Sequence, residues 1–95
     1  MDFDIESIEK EVGNYFDVGI ETFYNKQGKH HEAKARHFLW FILHDCCGMS
    51  YPKIGRKYFR SRRAVIRYVS EMRFRVANLK GDIEAYKHFK ETFDF

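Results

Sequence analysis

The sequence predicts a single all-α domain of about five to six helices that contains a helix-turn-helix. Apolar residues recur at the spacing of amphipathic helices along most of the chain, and no stretch alternates apolar and polar residues as a strand would. The 95 residues include only one proline. A chain of this length forms one hydrophobic core, so residues 1–95 are expected to be one domain.

The first helix is predicted to begin after Asp4, whose carboxylate suits an N-cap. Its apolar stripe consists of Ile5, Ile8, Val12, Tyr15 and Phe16. A turn at Asp17 leads into a short second helix that carries Val18, Ile20 and Phe23. The polar stretch NKQGKHH, residues 25–31, has no apolar period and is predicted to be a basic loop.

A long central helix is predicted from Ala33 to Cys47. One face carries Ala35, Phe38, Leu39, Ile42 and Cys46, and this face is widened by Trp40, Phe41 and Leu43. Gly48 follows as a left-handed C-terminal cap, because glycine adopts positive φ without steric cost.

Residues 50–77 have the order of a helix-turn-helix. Ser50 is predicted to cap a short helix that ends near Tyr58, with Pro52 in its first turn, where a missing N–H costs nothing. Ser61 is predicted to cap the next helix. Its inward residues are predicted to be Val65, Ile66, Val69, Met72 and Val76, and its outward residues Arg62, Arg63, Arg67 and Arg73. After LKGD, a last helix is predicted to place Ile83, Tyr86, Phe89 and Phe93 on one stripe.

Most of the positive charge lies in residues 53–75, which hold nine basic residues against Glu71 alone. Residues 1–24 hold seven acidic residues and only Lys10 as a base. Such a concentration is typical of a protein that binds a polyanion, although a solvated basic face is the alternative. Arginine in the first turn of a helix opposes the helix dipole, at roughly 0.3 to 1 kcal/mol each, which indicates a partner.

Several classes of protein are not expected. No run of eighteen apolar residues exists and the N-terminus is acidic, so we expect neither a membrane span nor a signal peptide, and a cytoplasmic location. Cys46 and Cys47 are adjacent and are expected to be reduced. Because neighbouring helical residues point about 100° apart, and no C-x-x-C or H-x-x-x-H spacing occurs, no metal site, cofactor or enzymatic activity is expected.

Residues 5–93 carry a series of motifs in a familiar order: IESIEKEVGNYFDV, the basic loop, KARHFLWFILHD, SYPKIGR at 50–56, and AVIRYV. In this order the chain resembles the C-terminal DNA-binding domain, domain IV, of the bacterial replication initiator DnaA. The resemblance implies a Trp-repressor-like helix-turn-helix that binds double-stranded DNA and a basic loop that reaches the minor groove. No Walker-type motif occurs in these 95 residues, so the initiator ATPase is expected to be absent.

The chain departs from the family at the start of the second helix of the motif. Where the family has Gly-Gly-Arg-Asp-His-Thr-Thr-Val, this chain reads FRSRRAVI at 59–66. The family positions that read bases therefore hold Arg62, Arg63, Ala64 and Val65, and the initiator's usual target is not expected. Gly28 lies where the family places its minor-groove arginine, and Arg36 matches a family arginine.

The predicted base contacts are Arg62, Arg63 and Ala64, with Val65 and Arg67 in second rank. Arginine binds guanine O6 and N7, whereas Ala64 or Val65 would touch a thymine methyl group. The predicted contacts to the DNA backbone are Ser50, Tyr51, Lys53, Arg56, Lys57, Arg60, Ser61, Lys26, Lys29 and Arg36. The acidic first helix should face away from DNA, with Arg73 and Arg75 either solvated or paired to it.

The predicted function is sequence-specific binding of double-stranded DNA by a non-enzymatic regulator of replication or transcription, encoded by a bacterium, phage or mobile element. It is expected to be a monomer or weak dimer. The alternative is a protein-interaction module of the same fold that binds or inhibits a replication protein through Trp40, Phe41 and Phe59. RNA binding is a weaker possibility, because side chains cannot read the deep, narrow major groove of A-form RNA.

Overall fold

A computed structural model describes residues 4–25 and 29–95 of the chain. In these residues the structure is helical and contains no strand, which confirms the all-α prediction. The elements are α1 (Ile5–Phe16), a 3-10 helix (Ile20–Tyr24), α2 (His30–Phe41), a π-helical turn (Ile42–Cys46), α3 (Tyr51–Tyr58), α4 (Arg62–Asn78) and α5 (Lys80–Phe93). None of the described helices is long and apolar enough to cross a bilayer.

Three helices begin at the N-caps predicted from the sequence. The Asp4 carboxylate accepts a hydrogen bond from the Glu6 amide at 3.2 Å. The Ser50 hydroxyl accepts from the Lys53 amide at 3.3 Å, and the Ser61 hydroxyl accepts from the Ala64 amide at 3.1 Å. Each bond satisfies an amide that has no partner within the first helical turn, so local chemistry sets these three boundaries.

The central helix differs from the prediction at both ends. It begins at His30, three residues before Ala33, with Lys29 as an N-cap in extended conformation. Glu32 lies in the first turn, where a negative charge is favoured by the helix dipole. After Phe41 the chain continues as the π-helical turn instead of an α-helix to Cys47, and Gly48, at φ 74°, then ends the segment as predicted.

The junction before α5 is shorter than predicted. Only Leu79 separates α4 from α5, and it is extended and serves as the N-cap of α5. The last helix was predicted to follow LKGD, but the other three residues of this stretch already belong to it. The Ile83 amide donates to the Leu79 carbonyl at 2.8 Å, which starts the helix at Lys80. The two last helices therefore meet at a sharp corner, and α5 packs back against α4.

The core surrounds α2, which packs against α1, α4 and the 3-10 helix. Its largest fully buried side chains are Trp40, Tyr58, Phe23, Phe38, Phe41 and Phe89. Three residues of the predicted apolar stripes are exposed: Tyr15 to 41%, Ile66 to 38% and Ile83 to 42%. Ile66 follows Val65 directly, so it points about 100° away from the buried stripe to which Val65 belongs.

A buried carboxylate connects three elements at the base of the helix-turn-helix. Glu9 of α1 accepts hydrogen bonds at one oxygen, Oε2, from the hydroxyl of Tyr24 at 2.6 Å and from the hydroxyl of Tyr58 at 2.7 Å. Burial, followed by the hydrogen bond to Glu9, raises the pKa of Tyr24 to about 12 and raises that of Tyr58 as well. Both hydroxyls therefore remain protonated donors, and Tyr58 is a core residue.

A second buried carboxylate connects the other face of the core. Asp82 of α5 pairs with Lys34 of α2 and with Arg75 of α4, each at 3.2 Å. Arg73 forms a bidentate pair with Asp45 at 2.8 and 2.7 Å. Arg73 and Arg75 were expected to be either solvated or paired to the acidic first helix. Both are ion-paired, but with Asp45 and Asp82 and not with the first helix.

We predict that Tyr58→Phe lowers the free energy of unfolding by about 1.5 to 3 kcal/mol, because it removes a donor from a buried charged group. The matched control is Tyr15→Phe, since Tyr15 is 41% exposed and should change stability by less than about 0.5 kcal/mol. Urea unfolding of the three proteins measures both effects. Equal stability of the two variants would contradict the role assigned to the Glu9 carboxylate.

Candidate nucleic-acid interface

Helices α3 and α4 are joined by the three residues 59–61, as in a helix-turn-helix. Phe59 ends α3 in the left-handed conformation, at φ 58° and ψ 45°, and the Arg60 amide donates to the Gly55 carbonyl at 2.8 Å. Ser61 then caps α4. A Cβ atom at position 55 would lie 2.6 Å from the Arg60 carbonyl oxygen, so the turn requires glycine there.

The angle between the two helices is set by apolar packing. Ile54 and Tyr58 of α3 and Val65 and Val69 of α4 are all fully buried. Because these side chains interlock in the shared core, the exposed faces of α3 and α4 are held in one orientation. The rigid pair therefore presents the N-terminal turns of α4 and the outer face of α3 at the surface.

The exposed faces of α3 and α4 carry six cations that we call the basic surface. Its members are Lys53, Arg56, Lys57, Arg62, Arg63 and Arg67. Within residues 4–25 and 29–95, none of the six has a carboxylate within 4.0 Å of its charged nitrogens. Arg63 and Arg67 are one helical turn apart and lie on the same side of α4. The surface thus concentrates charge without internal neutralisation.

Two members of the basic surface make cation–π contacts with aromatic rings. The Lys57 ammonium lies 5.6 Å from the ring centroid of Tyr58 and 5.9 Å from that of Tyr24. The Arg67 guanidinium lies 5.4 Å from the ring centroid of Tyr68. Cations over ring faces are held by the ring quadrupole, so these two side chains are partly ordered before any partner binds.

Two of the predicted contact residues are directed into the protein. Val65 is fully buried, since it belongs to the inward stripe of α4. Arg36 is only 6% exposed, and its guanidinium donates to the Thr22 carbonyl at 3.4 Å. Burial lowers the pKa of Arg36. The structure therefore corrects the prediction by removing both residues from the accessible surface.

Arg60 connects the turn to the segment before α2. It is half-buried, and its guanidinium donates to the Tyr58 carbonyl at 3.0 Å and to the Asn25 carbonyl. It also lies 6.0 Å from the ring centroid of Trp40, and burial lowers its pKa. Arg60 was predicted to contact phosphate, but in this conformation its donors hold the turn against the start of the predicted basic loop.

The remaining predicted backbone contacts occupy several environments. The hydroxyls of Ser50 and Ser61 cap their helices. Tyr51 is half-buried, and its ring stacks on His44 at 3.9 Å between centroids. Lys29 is exposed at the N-cap of α2. Lys26 and Gly28 lie outside the described residues.

Of the predicted base contacts, Arg62, Arg63 and Arg67 are exposed and Ala64 is half-buried. Sequence reasoning missed Ile66, which lies one turn after Arg62 and Arg63 on the exposed side of α4. The helical period could have shown this. Because an α-helix has 3.6 residues per turn, the consecutive residues Val65 and Ile66 cannot both face the same narrow core stripe. Ile66 thus adds an apolar side chain between the arginines.

The aromatic surface of the alternative hypothesis does not exist as predicted. Trp40 and Phe41 are each only 1% exposed, because α2 is central and its wide apolar surface is covered on several sides. Phe59 alone among the three predicted residues is exposed.

The chain matches a known protein family. The model of a family described as the bacterial DnaA protein helix-turn-helix matches residues 5–71. The matched stretch runs from α1 to the tenth residue of α4 and includes the whole basic surface. No curated protein matches the chain.

We predict that Gly55→Ala destabilises the protein by about 1 to 3 kcal/mol, because the added methyl group would displace the backbone of the turn. The control is Gly81→Ala in α5, where a Cβ would meet no atom within 4 Å. That change should be neutral or stabilise by up to about 1 kcal/mol. Thermal unfolding measures the stability of both variants. Equal effects would show that the turn does not require the close approach of the Arg60 carbonyl to position 55.

Proposed function

The chain belongs to the bacterial DnaA helix-turn-helix family, and from that premise we propose that it is a sequence-specific double-stranded DNA-binding protein that regulates replication or transcription. The observation that carries the proposal is the basic surface: six exposed cations without acidic partners in the described part of the chain. They lie on the two helices that a helix-turn-helix directs toward DNA.

The N-terminal turns of α4 are proposed to enter the major groove. Arg62 and Arg63 would bind the acceptor edge of guanine, with Arg67 one turn further along the helix. Ala64 and Ile66 supply apolar surface next to these arginines, which suits a thymine methyl group. A mixed set of donors and apolar groups distinguishes the four base pairs, so this part of the site would give sequence specificity.

Helix α3 is proposed to hold the DNA backbone. Lys53, Arg56 and Lys57 would contact phosphates. The N-terminus of α3, capped by Ser50, is the positive end of the helix dipole and would also favour a phosphate. Lys29, at the start of α2, extends the set. Backbone contacts carry no sequence information, but they fix the register in which α4 meets the bases.

The alternative, a module that binds a replication protein, is supported by the exposed ring of Phe59. DNA is the better fit, because the basic surface is much larger than that single ring and belongs to the two motif helices. A complex with a purified acidic partner that survives nuclease treatment, together with no binding to duplex DNA, would favour the alternative.

We predict that the logarithm of the binding constant for duplex DNA falls with the logarithm of salt concentration with a slope of about −5, as expected when five or six phosphates are neutralised. Lys57→Ala should reduce the magnitude of the slope by about 0.9. Arg73→Ala is the matched control, since this guanidinium is already paired with Asp45. Fluorescence anisotropy at several salt concentrations measures the slopes, and a slope near zero for the unaltered protein would overturn the proposed function.

We predict that Arg62→Ala and Arg63→Ala each reduce discrimination between the preferred site and other duplexes by about 1 to 3 kcal/mol, because each removes a base contact. Lys57→Ala should weaken binding to all duplexes alike. Selection from random duplexes identifies the preferred site, and titrations against this site and a scrambled one give the ratio. A ratio unchanged by either arginine variant would remove the readout assignment.

A further inference from the structure

Phe59 combines two properties that its role in the fold does not explain. Its side chain is 64% exposed, so it contributes little to the core. Its backbone is left-handed, at φ 58°, a conformation that glycine and asparagine adopt far more readily than an aromatic residue. A glycine at this position would complete the same turn with less strain and without exposing an apolar ring.

The strained conformation is held by the surroundings of the turn. The Arg60 amide donates to the Gly55 carbonyl at 2.8 Å, and the Arg60 guanidinium donates to the Tyr58 carbonyl at 3.0 Å. The same guanidinium reaches the Asn25 carbonyl. Strain of this kind persists where neighbouring contacts determine the backbone, so the ring is presented in one place.

The ring interrupts the basic surface. Arg56 and Lys57 precede Phe59 on α3, and Arg62 and Arg63 follow it on α4, all four exposed. Duplex DNA presents apolar sugar surface and thymine methyl groups close to its phosphates, and side chains such as phenylalanine contact these methyl groups in the major groove. An acidic protein surface offers the charge but has no such regular pairing of anion and apolar surface.

We propose that the Phe59 ring packs against the sugars and base edges of the bound duplex, next to the phosphates held by Arg56 and Lys57. The inference rests on the proposed function, because it adds a contact to the same interface. The contact is apolar, so it strengthens binding without neutralising a phosphate. It therefore raises the affinity at every salt concentration by the same factor.

The decisive variant is Phe59→Gly, which removes the ring and relieves the backbone. It should be at least as stable as the unaltered protein, with a Tm that rises by up to roughly 8 °C. Its affinity for the preferred duplex should fall roughly tenfold, because apolar surface is no longer buried on binding. The slope of affinity against salt should not change, since no phosphate contact is lost.

Two further variants separate the effect of the ring from that of the backbone, and a third is a control. Phe59→Asn also suits the left-handed conformation and should lose affinity as Phe59→Gly does, without the added flexibility of glycine. Phe59→Tyr keeps the ring and should bind like the unaltered protein. Phe74→Ala is the matched control, because Phe74 is also 64% exposed but lies twelve residues after Arg62, roughly 18 Å along α4.

The titrations separate failure of this inference from failure of the proposed function. If the unaltered protein binds no duplex, the proposed function fails and this inference fails with it. If the unaltered protein binds duplex DNA and Phe59→Gly and Phe59→Asn bind it as tightly, only this inference is overturned. The exposed ring would then be assigned to contact with a protein partner. A slope reduced by about 0.9 in either variant would also overturn it, because the residue would then be positioning a phosphate-binding cation.

Discussion

The arrangement of the helix-turn-helix depends on the Glu9 carboxylate, which is buried in the core between two tyrosine hydroxyls. A charge removed from water is stable only when it is hydrogen-bonded, so Glu9 determines where Tyr24 and Tyr58 must lie. Tyr58 is the last residue of α3, and its position sets the path of the turn that follows. The start of α4, where the basic surface faces outward, therefore depends on an acidic residue of α1.

Acidic side chains also determine where positive charge remains free. Asp45 pairs with Arg73, and Asp82 pairs with Arg75 and with Lys34 of α2. The second half of α4 is thereby neutralised, whereas Arg62, Arg63 and Arg67 in its first half have no carboxylate nearby among the described residues. Positive charge without an acidic partner is therefore concentrated at the N-terminal end of α4 and on α3.

Much of the candidate site could be predicted from the sequence, since exposure on a regular helix follows its period. Arg62, Arg63 and Arg67 are exposed as predicted, and Ile66 would have been placed correctly by a stricter use of the same period. Arg36 and Arg60 could not be placed this way. Their partners, the carbonyls of Thr22 and Asn25, are distant in sequence, so only the packed chain shows that these guanidinium groups bind backbone.

By itself the sequence determined the helical class and most helix boundaries, because the signals act within a few residues. The caps at Asp4, Ser50 and Ser61 and the left-handed Gly48 are of this kind. The tertiary structure alone decided which charged groups are buried or paired and so hold the fold. It buries Glu9 and Asp82, places Arg60 under the turn and leaves the Phe59 ring exposed on a strained, left-handed backbone. The physical reason is that burial and ion pairing depend on neighbours that folding brings together from distant parts of the chain.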